Sequence, residues 1–134
     1  MARHISRCYN YGKEQESKVY PIIEEYFKGE NIIQTKGQYD KYDFVGDSKV
    51  FELKSRRNRH NSYSTTMITC NKLKKIDKDL ILLFNFTDGL YFIKYEKELF
   101  DTFFSQPFVR DEVNAYPLDH LYIPIEHLTM IKKY

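Results

Sequence analysis

The chain has 134 residues, a formal net charge of +2 and 42% hydrophobic residues. This composition is typical of one folded domain, expected over residues 1–134, and it excludes a disordered or generally polybasic protein. No apolar run approaches the roughly 20 residues that cross a bilayer, and the start lacks the apolar core of a secretion signal. We therefore expect an intracellular location and no membrane partner. Cys8 and Cys70 have no paired metal-ligand spacing, so we expect both thiols to be reduced.

The first predicted element is a helix over Gly12–Lys28, because apolar residues recur there with helical spacing and Gly29 provides a stop. Glu16 precedes Val19 by three residues, so on a continuous helix its carboxylate would extend the buried stripe and would need a partner or a metal. Pro21 leaves an alternative open. A helix that begins at Pro21 would leave Glu16 in a loop.

A predicted β-hairpin is the central feature of the sequence. A short strand, Asn31–Thr35, and a polar loop, Lys36–Asp40, lead into it. The hairpin strands are Tyr42–Val45 and Lys49–Lys54, which both alternate with period two. Turn residues Gly46–Ser48 join them.

The register of this hairpin decides whether two acidic residues meet. A loop with an even number of residues gives three opposed pairs, Val45–Val50, Phe44–Phe51 and Asp43–Glu52, with Tyr42, Phe44, Phe51 and Leu53 on the opposite face from the acids. Opposed Cβ atoms lie roughly 5 Å apart, and two carboxylates there cost stability unless a cation such as Mg²⁺ lies between them. Lys54 emerges beside Glu52, while Asp40 has the opposite strand parity and ranks second to Asp43. The alternative is a solvated face, on which Lys41 and Lys54 pair with Glu52 and Asp43.

Asp43, followed nine residues later by Glu52-Leu53-Lys54, resembles the signature of the PD-(D/E)XK nuclease superfamily, which has the restriction-endonuclease-like fold. Tyr42 stands where the often-degenerate proline of that signature would be. The resemblance implies an α/β fold with an αβββαβ core over about residues 12–95, a mixed central sheet flanked by helices, and a C-terminal extension over residues 96–134.

The same resemblance implies a metal-dependent endonuclease that hydrolyses phosphodiester bonds in DNA. The implied ligands of one Mg²⁺ or Mn²⁺ are Asp43, Glu52, the backbone carbonyl of Leu53 and Glu16. Lys54 would orient the attacking water or stabilise charge on the phosphate. Two alternatives stay open: a resolvase that acts on branched DNA as a homodimer, and an inactive member of the fold that only binds nucleic acid.

Two clusters of basic residues follow the hairpin. The first consists of Lys54, Arg56, Arg57, Arg59 and His60, and the second of Lys72, Lys74, Lys75 and Lys78. Such clusters suit a phosphate backbone, so we expect Arg56, Arg57, Arg59 and His60 to bind nucleic acid. In the second cluster, Lys72 is the candidate to reach the site as a catalytic and nucleic-acid-binding residue, and we prefer it to Asn71. A lysine on a solvated helix face is an equal alternative.

The rest of the chain is predicted to support this site. In order, we expect a helix over Thr65–Lys75, a strand over Leu80–Phe86, its hairpin partner over Leu90–Tyr95, a short helix over Glu96–Phe104, an irregular stretch over Gln106–Pro117, a strand over Leu121–Ile123 and a short helix over Ile125–Ile131. The histidines His4, His120 and His127 have no companion acid or ligand at a fixed spacing, so we expect no catalytic role for them.

Overall fold

The computed structural model describes residues 2–35, 41–73, 77–108 and 118–134, with side chains over 10–35, 41–73, 77–107 and 119–134. Within these residues the helices are α1 (Ala2–Tyr26) and α2 (Lys97–Phe100). The strands are β1 (Ile33–Gln34), β2 (Phe44–Val45), β3 (Lys49–Ser55), β4 (Thr65–Thr69), β5 (Asp79–Phe86), β6 (Gly89–Lys94), β7 (Ser105–Phe108), β8 (Leu118–Pro124) and β9 (Thr129–Lys133). No helix in the described ranges is both long and apolar enough to pass through a membrane.

The strands form two sheets. The larger has the order β1-β2-β3-β5-β6-β9, and the smaller has the order β4-β8-β7. Only β3 and β5 pair in parallel among the described strands, so the larger sheet is mixed. The expected mixed α/β architecture is therefore confirmed.

The larger sheet lies between α1 and the smaller sheet. Alternate residues of β5 face the two layers, which explains its near-continuous apolar sequence. The core on the α1 side contains Val19, Ile23, Ile32, Phe44, Phe51, Ile81, Leu83 and Leu90. The core on the other side contains Val50, Ile68, Leu80, Leu82, Phe84, Phe86, Ile93, Phe100, Leu121 and Ile123.

Helix α1 is continuous through Pro21, so the alternative of a helix that begins there is wrong. Val19 and Ile23 are fully buried, as the apolar stripe predicts. Glu16 is therefore helical. The helix starts ten residues before Gly12, and Gly29 follows its end with a φ of 92°, a conformation that glycine adopts without strain.

The hairpin has the predicted even register, with Val45 opposite Val50 and Phe44 opposite Phe51. The regular ladder ends there. The Asp43 amide donates to the Phe51 carbonyl at 3.0 Å, so two successive residues lie against Phe51 in the manner of a β-bulge. This slip places Tyr42 on the Val45 side, against the predicted alternation, and it redirects Asp43.

The predicted helix over Thr65–Lys75 is wrong. Residues Thr65–Thr69 form β4, and Cys70–Lys72 form a single 3₁₀ turn. Thr66 and Ile68 are the buried positions of β4, which is a period of two, and its β-branched residues favour extended backbone. A strand and a turn therefore stand between the parallel strands β3 and β5, where the resemblance implies a helix.

The predicted helix over Ile125–Ile131 is also wrong. It is a 3₁₀ turn, Ile125–His127, followed by strand β9, which pairs with β6. Apolar spacing there fits a helix, but pairing with an open sheet edge prevails over local pattern. The helix predicted over Glu96–Phe104 is shorter than expected and forms α2. Strand β7 occupies the first residues of the stretch over Gln106–Pro117, which is predicted to be irregular. Residues 109–117 of that stretch lie outside the described ranges.

Candidate functional site

Glu52 is a buried carboxylate in the centre of the larger sheet. It lies on β3 opposite Leu82 of β5 and is only 6% exposed. Its Oε1 atom lies 3.5 Å from Lys54 Nζ and 3.6 Å from Lys72 Nζ. Burial excludes a solvated sheet face at this point, and Lys54 pairs with Glu52 rather than with Asp43, as that alternative has it.

Burial raises the pKa of Glu52 above its ordinary value, and the negative charge of Asp43 raises it further. The two lysines act in the opposite direction and do not cancel the shift. The ionised form of Glu52 is therefore under-stabilised by the protein alone.

Asp43 is anchored immediately before β2 begins. Its Oδ2 accepts a hydrogen bond from the Leu53 amide at 2.7 Å. The regular ladder with β2 stops at Phe44, so the carboxylate takes a place that a strand carbonyl would otherwise fill. Asp43 therefore does not lie directly opposite Glu52, and the predicted cross-strand pair is wrong. Asp43 is held against β3 instead, and its charge still acts on Glu52.

Glu16 brings a third carboxylate from α1. Gln34 Nε2 donates to its Oε2 at 3.3 Å, and Lys13 Nζ lies 3.4 Å from the same atom. Burial raises the pKa of Glu16, and the charge of Asp43 and a hydrogen bond with it add to the effect. Glu16 therefore reaches Asp43, as the continuous helix predicts.

The three acids occupy two sides of the sheet. Glu52 has the strand parity of Val50 and faces the smaller sheet, while Glu16 lies on the α1 side and Asp43 lies between them. Within the described ranges, no three His, Cys, Asp or Glu side chains stand in a ready metal-binding arrangement. The donor chemistry nevertheless fits a hard cation, because all three groups are carboxylates. Burial and then repulsion by Asp43 raise the pKa of Glu16 and Glu52, and a cation would offset both effects.

The predicted lysines both reach Glu52. Lys54 follows it by two residues on β3 and is mostly covered. Lys72 is more exposed and comes from the 3₁₀ turn after β4 rather than from a helix. Leu53 lines a cavity of about 380 Å³ together with Glu16, on the α1 side.

The four predicted nucleic-acid-binding residues of the first basic cluster fall into two kinds. Arg56 ties β3 to β4, because its Nη2 donates to the Met67 carbonyl, its Nε donates to Thr66 Oγ1 at 3.4 Å, and its guanidinium lies 5.9 Å from the Phe84 ring centre. Arg57 is exposed and lies over the Tyr11 ring, 4.3 Å from its centre.

His60 is anchored by Asp88. Its amide donates to Asp88 Oδ1 at 2.8 Å, its Nδ1 lies 2.6 Å from Oδ2, and its ring stacks on Tyr91. Arg59 is exposed, with its Nη2 3.8 Å from Asp88 Oδ2. Arg57 and Arg59 are thus open to a phosphate, whereas Arg56 and His60 hold the loop in place.

The sequence interpretation missed two features. Gln34 donates a hydrogen bond to Glu16. The sequence does not indicate this contact, because a single amide side chain on a two-residue strand belongs to no recognisable pattern. Tyr63 and Tyr122 line a cavity of about 410 Å³ next to Arg56, and the richness of the chain in tyrosine was the available hint. Asp40, the second candidate for Asp43, lies outside the described ranges, as do Lys74 and Lys75.

Comparison of the chain with family models, with curated proteins and with solved structures gives no match.

Proposed function

We propose that this protein is a metal-dependent endonuclease that hydrolyses phosphodiester bonds, with DNA as its substrate. The carrying observation is Glu52, a buried carboxylate with a raised pKa that lies between Lys54 and the anchored Asp43. A buried acid beside a second acid and an ammonium group is the arrangement that the Asp and Glu-X-Lys pattern of the PD-(D/E)XK superfamily implies.

The element order supports a restriction-endonuclease-like fold. A helix, three antiparallel strands and a strand parallel to the third follow one another as α1, β1, β2, β3 and β5. This matches the implied αβββαβ core except at its second helix, where β4 and a 3₁₀ turn stand. The turn still delivers Lys72 to Glu52.

Mg²⁺ or Mn²⁺ is the cofactor of this proposal, and Asp43 and Glu52 would hold it with the Leu53 carbonyl. Glu16, on the other side of the sheet, would act on the ion through its contact with Asp43. Such an ion polarises the phosphate and lowers the pKa of a bound water. Carboxylate and carbonyl oxygens suit these hard cations.

The chain's own residues would position the substrate and stabilise charge. Lys54 would orient the attacking water or stabilise the charge that builds on the phosphate, in a site where burial strengthens the interaction. Lys72 would assist from the 3₁₀ turn, next to the same Glu52 oxygen. Arg57 and Arg59 would contact the nucleic-acid backbone without reading its sequence.

The test is a cleavage assay of the full chain on linear duplex, flap, four-way junction, single-stranded DNA and RNA, with Mg²⁺, Mn²⁺ or EDTA. We expect cleavage that needs the metal and that is abolished by Asp43→Ala and by Lys54→Ala. Lys49→Ala is the matched control, because Lys49 is on the same strand and pairs with Glu30 at 3.6 Å. The proposal fails if either site variant cleaves like the wild type, or if no substrate is cut with either metal.

A further inference from the structure

A cavity of about 410 Å³ opens at the end of β3, beyond the carboxylates. Its walls include Tyr63, Tyr122, Phe86 and His60, with Arg56 and Asn58 at its polar side. Its size is within the range of pockets that hold small organic ligands.

The aromatic wall is unusually open. Tyr63 is 67% exposed although it is a large apolar ring. Tyr122 accepts a hydrogen bond from Gln106 and packs against Phe104, and the His60 ring is fixed by Asp88 and Tyr91. An exposed ring such as Tyr63 at the mouth of a cavity, beside rings that are held in place, is a surface on which an unpaired base can stack.

Two arginines lie at the cavity. Arg56 lines it. The exposed Arg59 lies next to it, because its Nη2 is 3.8 Å from the Asp88 carboxylate that holds His60. Their two positive charges exceed the single negative charge of Asp88, and positive charge beside aromatic walls complements the two parts of a nucleotide, its phosphate and its base.

The cavity also lies next to the proposed cleavage site. It shares Arg56 and Met67 with a smaller cavity of about 100 Å³ that reaches Lys54. Arg56 follows Lys54 by two residues, which is about 7 Å along an extended chain. A strand with its phosphate at Lys54 would therefore place a neighbouring base at the cavity.

We propose that this cavity binds an unpaired nucleobase of the DNA strand that passes the cleavage site, by stacking it on Tyr63. The identity of the strand rests on the proposed nuclease function, while base binding itself does not require cleavage. The substrate class would accordingly be DNA with an unpaired segment, such as a flap or a single strand.

The test is the affinity of the full chain for a short fluorescein-labelled single-stranded oligonucleotide, measured by anisotropy in EDTA. We expect Tyr63→Ala to weaken binding about tenfold and Tyr63→Phe to keep it, because stacking needs the ring and not the hydroxyl. Tyr26→Ala, which removes another exposed aromatic ring on α1, should leave binding unchanged. On an oligonucleotide of abasic sites, which keeps the phosphates, Tyr63→Ala should bind like the wild type.

Three results would overturn the base pocket: equal binding of Tyr63→Ala and wild type, an equal loss on the abasic strand, or no binding of single-stranded DNA by the wild type. The proposed nuclease function can fail independently of the base pocket, because the cleavage assay tests it alone. If Tyr63 is needed for binding but Asp43→Ala still cleaves, the pocket stands and the proposed catalytic site falls.

Discussion

The two ends of the β2–β3 hairpin each hold a largely covered carboxylate beside a lysine, but they treat it differently. At the turn, Glu30 accepts hydrogen bonds from the Ser48 amide at 2.8 Å and from Ser48 Oγ at 2.6 Å, and lies 3.6 Å from Lys49. At the open end, Glu52 has two lysine contacts at 3.5 and 3.6 Å. The hydrogen bonds from Ser48 lower the pKa of Glu30, whereas burial raises the pKa of Glu52.

Under the proposed function, this difference separates a structural acid from a catalytic one. Glu30 is also packed closely, because a Cβ atom at Gly46 would lie 2.8 Å from its Oε1 atom. Its carboxylate is already satisfied and it closes the turn. A divalent cation would stabilise the ionised Glu52 carboxylate more than its two lysines do. Burial alone therefore does not distinguish the two carboxylates, while the hydrogen bonds and ion pairs of their oxygens do.

The largest expected effect is on cleavage. Glu52→Gln should lower the rate of metal-dependent DNA hydrolysis by roughly a thousandfold, because it removes a charged metal ligand. Glu30→Gln is the matched control and should stay within about twofold of the wild type. Steady-state cleavage of a labelled substrate measures both, and equal rates in the two variants would remove the distinction between the two ends of the hairpin.

The next effect is on stability at the turn. Glu30→Gln should lower the free energy of unfolding by about 2 kcal/mol at pH 7, because charge-assisted hydrogen bonds to Ser48 are lost. The pKa of Glu30 is lowered in the folded state, so this stability is present above the unfolded pKa and is lost as the pH falls through the folded value. Urea unfolding at several pH values should show the gap close below about pH 4. A gap that persists in acid would mean that ionisation of Glu30 is not its source.

The smallest effect is on stability at the open end. Glu52→Gln should change the free energy of unfolding by less than about 1 kcal/mol, since a neutral amide avoids the cost of a buried charge that its neighbours only partly offset. The same urea unfolding at pH 7 measures it. A loss of 2 kcal/mol or more would make Glu52 a structural acid like Glu30.

The sequence predicted the parts of the fold that local pattern determines. Alternation and turn residues gave the hairpin with Val45 opposite Val50, and the apolar stripe gave the helix that carries Glu16. The strand β5 was evident because both of its faces are covered. These features depend on residues that are neighbours in the chain.

The parts that the sequence did not predict depend on distant contacts. The local pattern of Thr65–Thr69 predicts a helix, because the pairing of this segment with β8, more than fifty residues later, leaves no local signal. The bulge at Asp43 could not be read from alternation, and it changed a directly opposed pair of acids into an aspartate bound to the Leu53 amide. The same limit hid the anchoring of His60 by Asp88.

The most direct measurement is a calorimetric titration of Mn²⁺ into the wild type, Glu52→Gln and Glu30→Gln at neutral pH and without DNA. We expect saturable binding by the wild type and Glu30→Gln, and affinity at least about tenfold weaker in Glu52→Gln. The reason is that Glu30 is stabilised by hydrogen bonds, whereas the charge of Glu52 is only partly offset by its lysines. Equal binding by all three proteins, or no binding by the wild type, would contradict a metal site at Glu52.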